Sequence, residues 1–167
     1  MPLDLPAPPV AGISFRPVEA RDANFLRALY RSVREAELAP TGWDEAAKRA
    51  FTDSQFEHQD RWYRDQYPGA RLLVIEERDR PIGRLYLCEF PGELRIMDIA
   101  LVPERRGKGL GTALIDWIKH LAAPEARCVT LYVEPFSRAR GLYSRLGFAE
   151  ESADAFHLRM RWAPGGS

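Results

Sequence analysis

Apolar and polar positions alternate along Ile13-Ser-Phe-Arg-Pro-Val with the period of two expected of a half-buried strand. From Asp22 the period lengthens. Phe25, Leu26, Leu29, Tyr30 and Val33 share one helical face that runs to about Glu37, and Asp22 is placed to cap that helix. Asp44 is placed to cap a second helix reaching Gln66. Its Phe51, Gln55, Phe56, His58, Gln59, Trp62 and Tyr63 mix polar and aromatic residues without a clean apolar stripe, and Pro68-Gly69 ends it. Arg71–Glu77 and Ile82–Phe90 read as strands joined by the polar turn Arg78-Asp79-Arg80-Pro81. Pro91-Gly92 then leads into a strand over Leu94–Val102, which completes an antiparallel meander.

Helical spacing returns at Leu110, Leu114, Ile118 and Leu121 and stops at Pro124. Val129–Val133 is a strand that, reached by a helical crossover, lies parallel to the one before it. Ala139, Leu142, Tyr143 and Leu146 mark a short helix ended at Gly147, and Phe148–Glu151 and Phe156–Trp162 close the chain as two strands. The order predicts an α/β fold with a mixed sheet. Residues 1–12, with Pro2, Pro6, Pro8 and Pro9 and no periodicity, are expected to form a flexible or extended tail. Residues 163–167 are expected to form a second, leaving one domain over 13–162.

Composition narrows the function classes. The 167 residues suffice for one self-sufficient core. Lys plus Arg and Asp plus Glu both number 24, so no basic excess favours general nucleic-acid binding. No stretch approaches the roughly 18 apolar residues of a membrane span, and the N-terminus lacks the pattern of a secretory signal. A cytoplasmic protein is expected, with Cys88 and Cys128 as two small core residues in a reducing compartment. No Cys/His spacing suggests a metal.

Candidate chemistry gathers in one turn. Between the Leu94 strand and the Leu110 helix lies Pro-Glu-Arg-Arg-Gly-Lys-Gly-Leu-Gly-Thr, residues 103–112. A helix start carries N–H groups without partners and about half a positive charge, which suits phosphate. Gly107, Gly109 and Gly111 remove the Cβ atoms that would keep an anion away, and Arg105, Arg106 and Lys108 add charge. A P-loop is excluded because Lys108 is followed by Gly109 and position 103 is Pro. A dinucleotide fingerprint is excluded by the Gly-x-Gly-x-Gly spacing after an antiparallel meander.

Arg106-x-x-Gly109-x-Gly111, following Asp98-Ile-Ala-Leu-Val and opening an amphipathic helix, resembles the acetyl-CoA-binding motif of the GNAT acyltransferases. A second signature of that family lies further along: Leu131-Tyr-Val, then Ala139-x-x-x-Tyr143-x-x-x-Gly147-Phe148. The resemblance covers about Ile13 to Trp162. It implies a mostly antiparallel sheet of about seven strands flanked by four helices, with a V-shaped splay between strands four and five. One departure stands at Phe136, where the family often has Asn, with Ser137 beside it as a small polar substitute.

The resemblance also assigns roles. Arg106, Gly107, Lys108, Gly109, Leu110, Gly111 and Thr112 would hold the pyrophosphate of acetyl-CoA, and Ser137 would lie beside the cofactor. Ile99, Ala100, Leu101 and Val102 would pair with its pantetheine arm and stabilise the attacked carbonyl. Tyr143 matches the tyrosine that serves the departing thiolate, although a helix-face core aromatic is its plain alternative. Asp98, in an apolar strand just before the acyl site, is the candidate base, ahead of Glu93 and Glu134, with an outward-facing or salt-bridged carboxylate as its plain alternative; a bulge there would decide whether Met97 or Asp98 faces the site. Gln59, Trp62 and Tyr63 on the second helix, beside Gln55, and Tyr86 on the third strand would wall the acceptor pocket. The expected reaction is direct transfer of an acetyl group to a primary amine, small-molecule or peptide, in a ternary complex, with homodimers common in the fold. The competing readings are a different acyl-CoA and a non-catalytic acyl-CoA-binding module.

Overall fold

The computed structural model describes residues 5–8 and 10–166. Among these, seven strands form one sheet: β1 (Ile13–Pro17), β2 (Arg71–Glu77), β3 (Arg80–Phe90), β4 (Glu93–Leu101), β5 (Cys128–Val133), β6 (Ala149–Ala153) and β7 (Leu158–Trp162). The spatial order is β1-β2-β3-β4-β5-β7-β6, antiparallel throughout except for β4 against β5. Four α-helices flank it: α1 (Ala23–Leu38), α2 (Glu45–Gln66), α3 (Leu110–Ala122) and α4 (Ala139–Arg145).

Alternation along the strands sorts the two faces. Leu85 and Leu87 of β3 and Leu94 and Ile96 of β4 point into the main core with Leu114, Ile115 and Ile118 of α3. Arg84 and Tyr86 point the other way, where α1 and α2 pack through Leu26, Tyr30 and Phe56. The buried, free Cys88 and Cys128 fit the expected small core residues.

Two local expectations change. Asp22 does not cap α1 through its side chain. A short 3-10 turn, Ala20–Asp22, precedes the helix, and the Asp22 carboxylate turns back to accept the Glu19 N–H and two Arg16 bonds, at 2.7–2.8 Å. Asp44, by contrast, caps α2 as expected, accepting the Ala47 N–H at 2.8 Å. Val33, on the expected buried side of α1, is 50% exposed because it faces a cleft instead of the core. In the stretch expected to be a flexible or extended tail, Leu5 and Val10 lie packed against the main core; residues 1–4, 9 and 167 fall outside the described residues.

Candidate active site

The site begins where β4 and β5 part. Their parallel pairing runs only from Glu93↔Cys128 to Ile96↔Leu131, although β4 continues to Leu101 and β5 to Val133. The parting coincides with a bulge. Tyr86 pairs with Asp98 and Leu87 with Ile96, so Met97 is an extra residue with no opposite partner on β3. Past the bulge, Ile99 packs against the main core and Leu101 is buried in it, while Met97, Asp98 and Ala100 line a cleft of about 980 Å³. Backbone direction follows the same alternation. The Val102 N–H donates to the Ile82 carbonyl at 2.8 Å, which puts Ala100 and Asp98 in the phase bonded to β3 and turns the groups of Ile99 and Leu101 toward the splay. Val102 itself has both backbone groups engaged, its carbonyl accepting the Arg105 N–H at 3.0 Å.

The glycine turn sits at the end of this edge. The first intrahelical bond of α3 runs from the Ala113 N–H to the Gly109 carbonyl at 3.0 Å, which leaves the N–H groups of Leu110, Gly111 and Thr112 without intrahelical acceptors. Gly109 has φ +83°, a left-handed conformation that admits glycine far more readily than a branched residue. A Cβ built on Gly107, Gly109 or Gly111 meets nothing within 4 Å, so the space beside these N–H groups is open to an anion. The arginines behave differently from simple mobile charges. Arg105 pairs with Glu77 at 2.8 Å, and Arg106 donates to the Leu101 carbonyl at 2.9 Å and to the Ser32 hydroxyl at 2.8 Å, tying the turn to β4 and α1. Lys108 is exposed beside them, and Leu110 is buried under the turn.

On the cleft floor, Asp98 forms an ion pair with Arg84, which is itself only 3% exposed. Arg84 also donates to Gln59 Oε1 at 2.8 Å and lies 4.7 Å from the centroid of the Tyr86 ring. The Tyr63 hydroxyl donates to the bulged Met97 carbonyl at 3.3 Å. Burial pushes the Tyr63 and Tyr86 phenols upward, and the Arg84 charge offsets part of that rise. Tyr143 enters from α4, buried and packed edge-on against Phe148 at 5.8 Å. Its phenol is pushed up to about 12, first by burial and then by the negative charge of Asp98.

The structure therefore brings Asp98, Tyr143, Gln59, Trp62, Tyr63 and Ser137 to one cleft. Ser137 Oγ accepts the Ala139 N–H at 3.2 Å at the start of α4, and Phe136 beside it is 98% exposed. Tyr86 forms the wall behind Arg84, fully buried. Glu134 lies at the rim, paired with Arg34 of α1 at 3.2 Å, whereas Glu93 is engaged away from the splay by Thr130, Arg95 and Arg159. Arg84 is the residue that sequence reasoning passed over. Its signal was available: an arginine in the middle of the apolar run Ile82-Gly-Arg-Leu-Tyr-Leu-Cys. Among the described residues no group of three or more His, Cys, Asp or Glu is placed to hold a metal, and no helix is long and apolar enough to cross a membrane.

Several solved structures share this fold. A PaiA N-acetyltransferase from Thermoplasma acidophilum, in complex with coenzyme A, superposes with TM-score 0.66 at 20% identity, covering 90% of this chain and 98% of its own. An acetyltransferase from Thermus thermophilus gives 0.65 at 14% identity, over 92% and 98%. A spermidine N-acetyltransferase from Vibrio cholerae, in complex with CoA and spermine, gives 0.59 at 20% identity, over 92% and 96%. At these identities the likeness is one of fold. No curated protein sequence matches the chain. The sequence profile of the acetyltransferase (GNAT) family matches residues 32–148, well over half of the chain, and the protein belongs to that family.

Proposed function

We propose that the protein is an N-acetyltransferase that moves the acetyl group of acetyl-CoA to a primary amine by direct attack. The observation that carries this reading is the splay itself. One parted strand edge leads from a cleft that holds two ionisable side chains, Asp98 and Tyr143, to a glycine-opened helix start at the end of the same strand. The N–H groups at the start of α3 receive the pyrophosphate, with Arg106 holding the turn in place and Lys108 adding charge. The β4 edge at Ile99 and Leu101 pairs with the amide-bearing arm as an added strand would, and its N–H groups meet negative charge developing on the carbonyl oxygen. Ala100 and Ser137 contact the cofactor from the cleft side, and Val102 contributes its side chain beneath it.

Asp98 orients the incoming amine and accepts a proton from it, directly or through water, using the oxygen that Arg84 leaves free. Tyr143 keeps its proton up to about 12, so at neutral pH it always presents an O–H to a departing thiolate whose reference value is about 8.5. That gap makes it a hydrogen-bond donor to the leaving sulfur. A neutral amine loses one proton as the amide forms and the CoA thiolate gains one, while an acceptor arriving as ammonium first releases one further proton, through Asp98, to water. Purified protein mixed with acetyl-CoA and a panel of amines should release free thiol only when an acceptor is present. Tyr143→Phe should lower kcat about 100-fold with little change in the KM for acetyl-CoA. No fall in the wild-type rate between pH 7 and 10 should trace to Tyr143. Tight CoA binding with no acceptor-dependent thiol release would instead identify a binding module.

A further inference from the structure

The acceptor half of the cleft has a chemistry of its own, and an acceptor assigned to it rests on the protein being an acetyltransferase. Aromatic rings cluster at the C-terminal end of α2: Trp62 meets Tyr63 at a tilt, 5.6 Å between centroids, and Tyr67, just past the helix, edge to face at 5.4 Å. Each of those tyrosines is backed by the sheet, Tyr63 by Tyr86 at 5.9 Å and Tyr67 by Phe90 at 6.2 Å. Trp62 keeps 52% exposure while lining the same cleft as Asp98. A large apolar ring left half-exposed in a cleft that also holds a carboxylate, on an aromatic support, is built to take another flat ring.

The charges of the cleft are mostly spoken for. Arg34 is held by Glu37 and Glu134, both at 3.2 Å, Arg84 by Asp98, and Arg95 by Glu93 at 2.9 Å. Arg138, exposed at the rim, is the remaining guanidinium of the cleft without such a partner among the described residues. A carboxylate next to the acceptor amine would thus enter with no free cation on the floor to meet it. Arg34 is shared between Glu37 and Glu134, which leaves one carboxylate charge unbalanced at the rim, so spermidine is the probe for a polycation there.

We propose that the acceptor is an arylalkylamine: a primary amine on a short chain ending in a flat ring, with no carboxylate beside the amine. The ring lies against Trp62 and Tyr67, and the amine reaches Asp98.

Steady-state rates at saturating acetyl-CoA test this with three matched probes. Phenylalanine adds a carboxylate to 2-phenylethylamine, and spermidine replaces the ring with charge. We expect kcat/KM for 2-phenylethylamine to exceed both by about ten-fold or more. Trp62→Ala should raise its KM about five-fold while the KM for acetyl-CoA stays put, and Trp62→Phe should restore most of the loss. Trp62 is half-exposed, so truncation leaves the fold intact, which a thermal melt would verify. Equal or better use of phenylalanine or spermidine, or an unchanged KM in Trp62→Ala, overturns the arylalkylamine assignment alone. Absence of thiol release with every amine, with CoA still bound, overturns the transferase reading and this one with it.

Discussion

A guanidinium at 3% exposure needs its charge met, and at Arg84 the partners are Asp98 and Gln59. Removing one member of such a pair strands the other, so Arg84→Met should destabilise the fold by about 2–4 kcal/mol, toward the low end because Asp98 keeps some contact with water. The double variant Arg84→Met/Asp98→Leu should cost clearly less than the two single costs added. Chemical denaturation measures the cycle, and additivity within about 0.5 kcal/mol would mean the pair is not coupled. Asp22 permits a second test at this scale. Arg16 and the Glu19 N–H hold its carboxyl below the ordinary 3.8. A depressed folded value means stability that is present above the unfolded value and lost as pH falls through the folded one. The stability deficit of Asp22→Asn should therefore be full at pH 7 and shrink below about pH 4, as read from urea melts across pH. Asp98 was legible as a candidate because a lone carboxylate in an apolar strand stands out. Arg84 carried the same signal, but its partner lies 14 residues away on the next strand.

Among the elements, the bulge at Met97 and the start of α3 do most to shape the cleft. The bulge puts Met97 and Asp98 both on the cleft while returning Ile99 and Leu101 to the core, which strict alternation from Leu94 does not allow. Gly83 is matched to the same strand, since a Cβ there would come within 2.3 Å of the Ala100 carbonyl. At the helix start, Gly109 and Gly111 make different tests. A Val at Gly109 is strained by φ +83°, whereas Gly111 has ordinary helical backbone and open space around a Cβ. Gly111→Val should therefore keep or slightly raise stability, since helix propensity favours Val over Gly by a few tenths of a kcal/mol. Its affinity for CoA should fall about ten-fold or more, by calorimetry, because the side chain occupies the anion's space. Unchanged affinity would remove the phosphate assignment from this turn.

Across the whole molecule, the sheet is continuous only through the short β4–β5 ladder, with β1–β4 on one side and β5–β7 on the other. A ligand seated in the splay touches both halves and binds the folded state alone. CoA at 100 times its Kd should add about 2.7 kcal/mol and raise Tm by roughly 5–10 °C, by differential scanning fluorimetry. Gly111→Val should blunt that rise. At this scale the division between sequence and tertiary structure is clear. The periodicities located the strands and helices to within a few residues, and the two linked motifs named the family, because those signals are local: apolar spacing, caps, and glycines at a helix start. Asp44 capping α2 and the turn before Leu110 needed no more than their neighbours in the chain. What only the fold decided involves residues brought together across distance: the Arg84–Asp98–Gln59 floor, the clamp of Arg106 on Leu101 and Ser32, and the ring cluster spanning α2, β3 and the turn after α2. Their partners depend on strand register and on one extra residue in β4, and register is set by packing of the whole sheet rather than by any short stretch of chain.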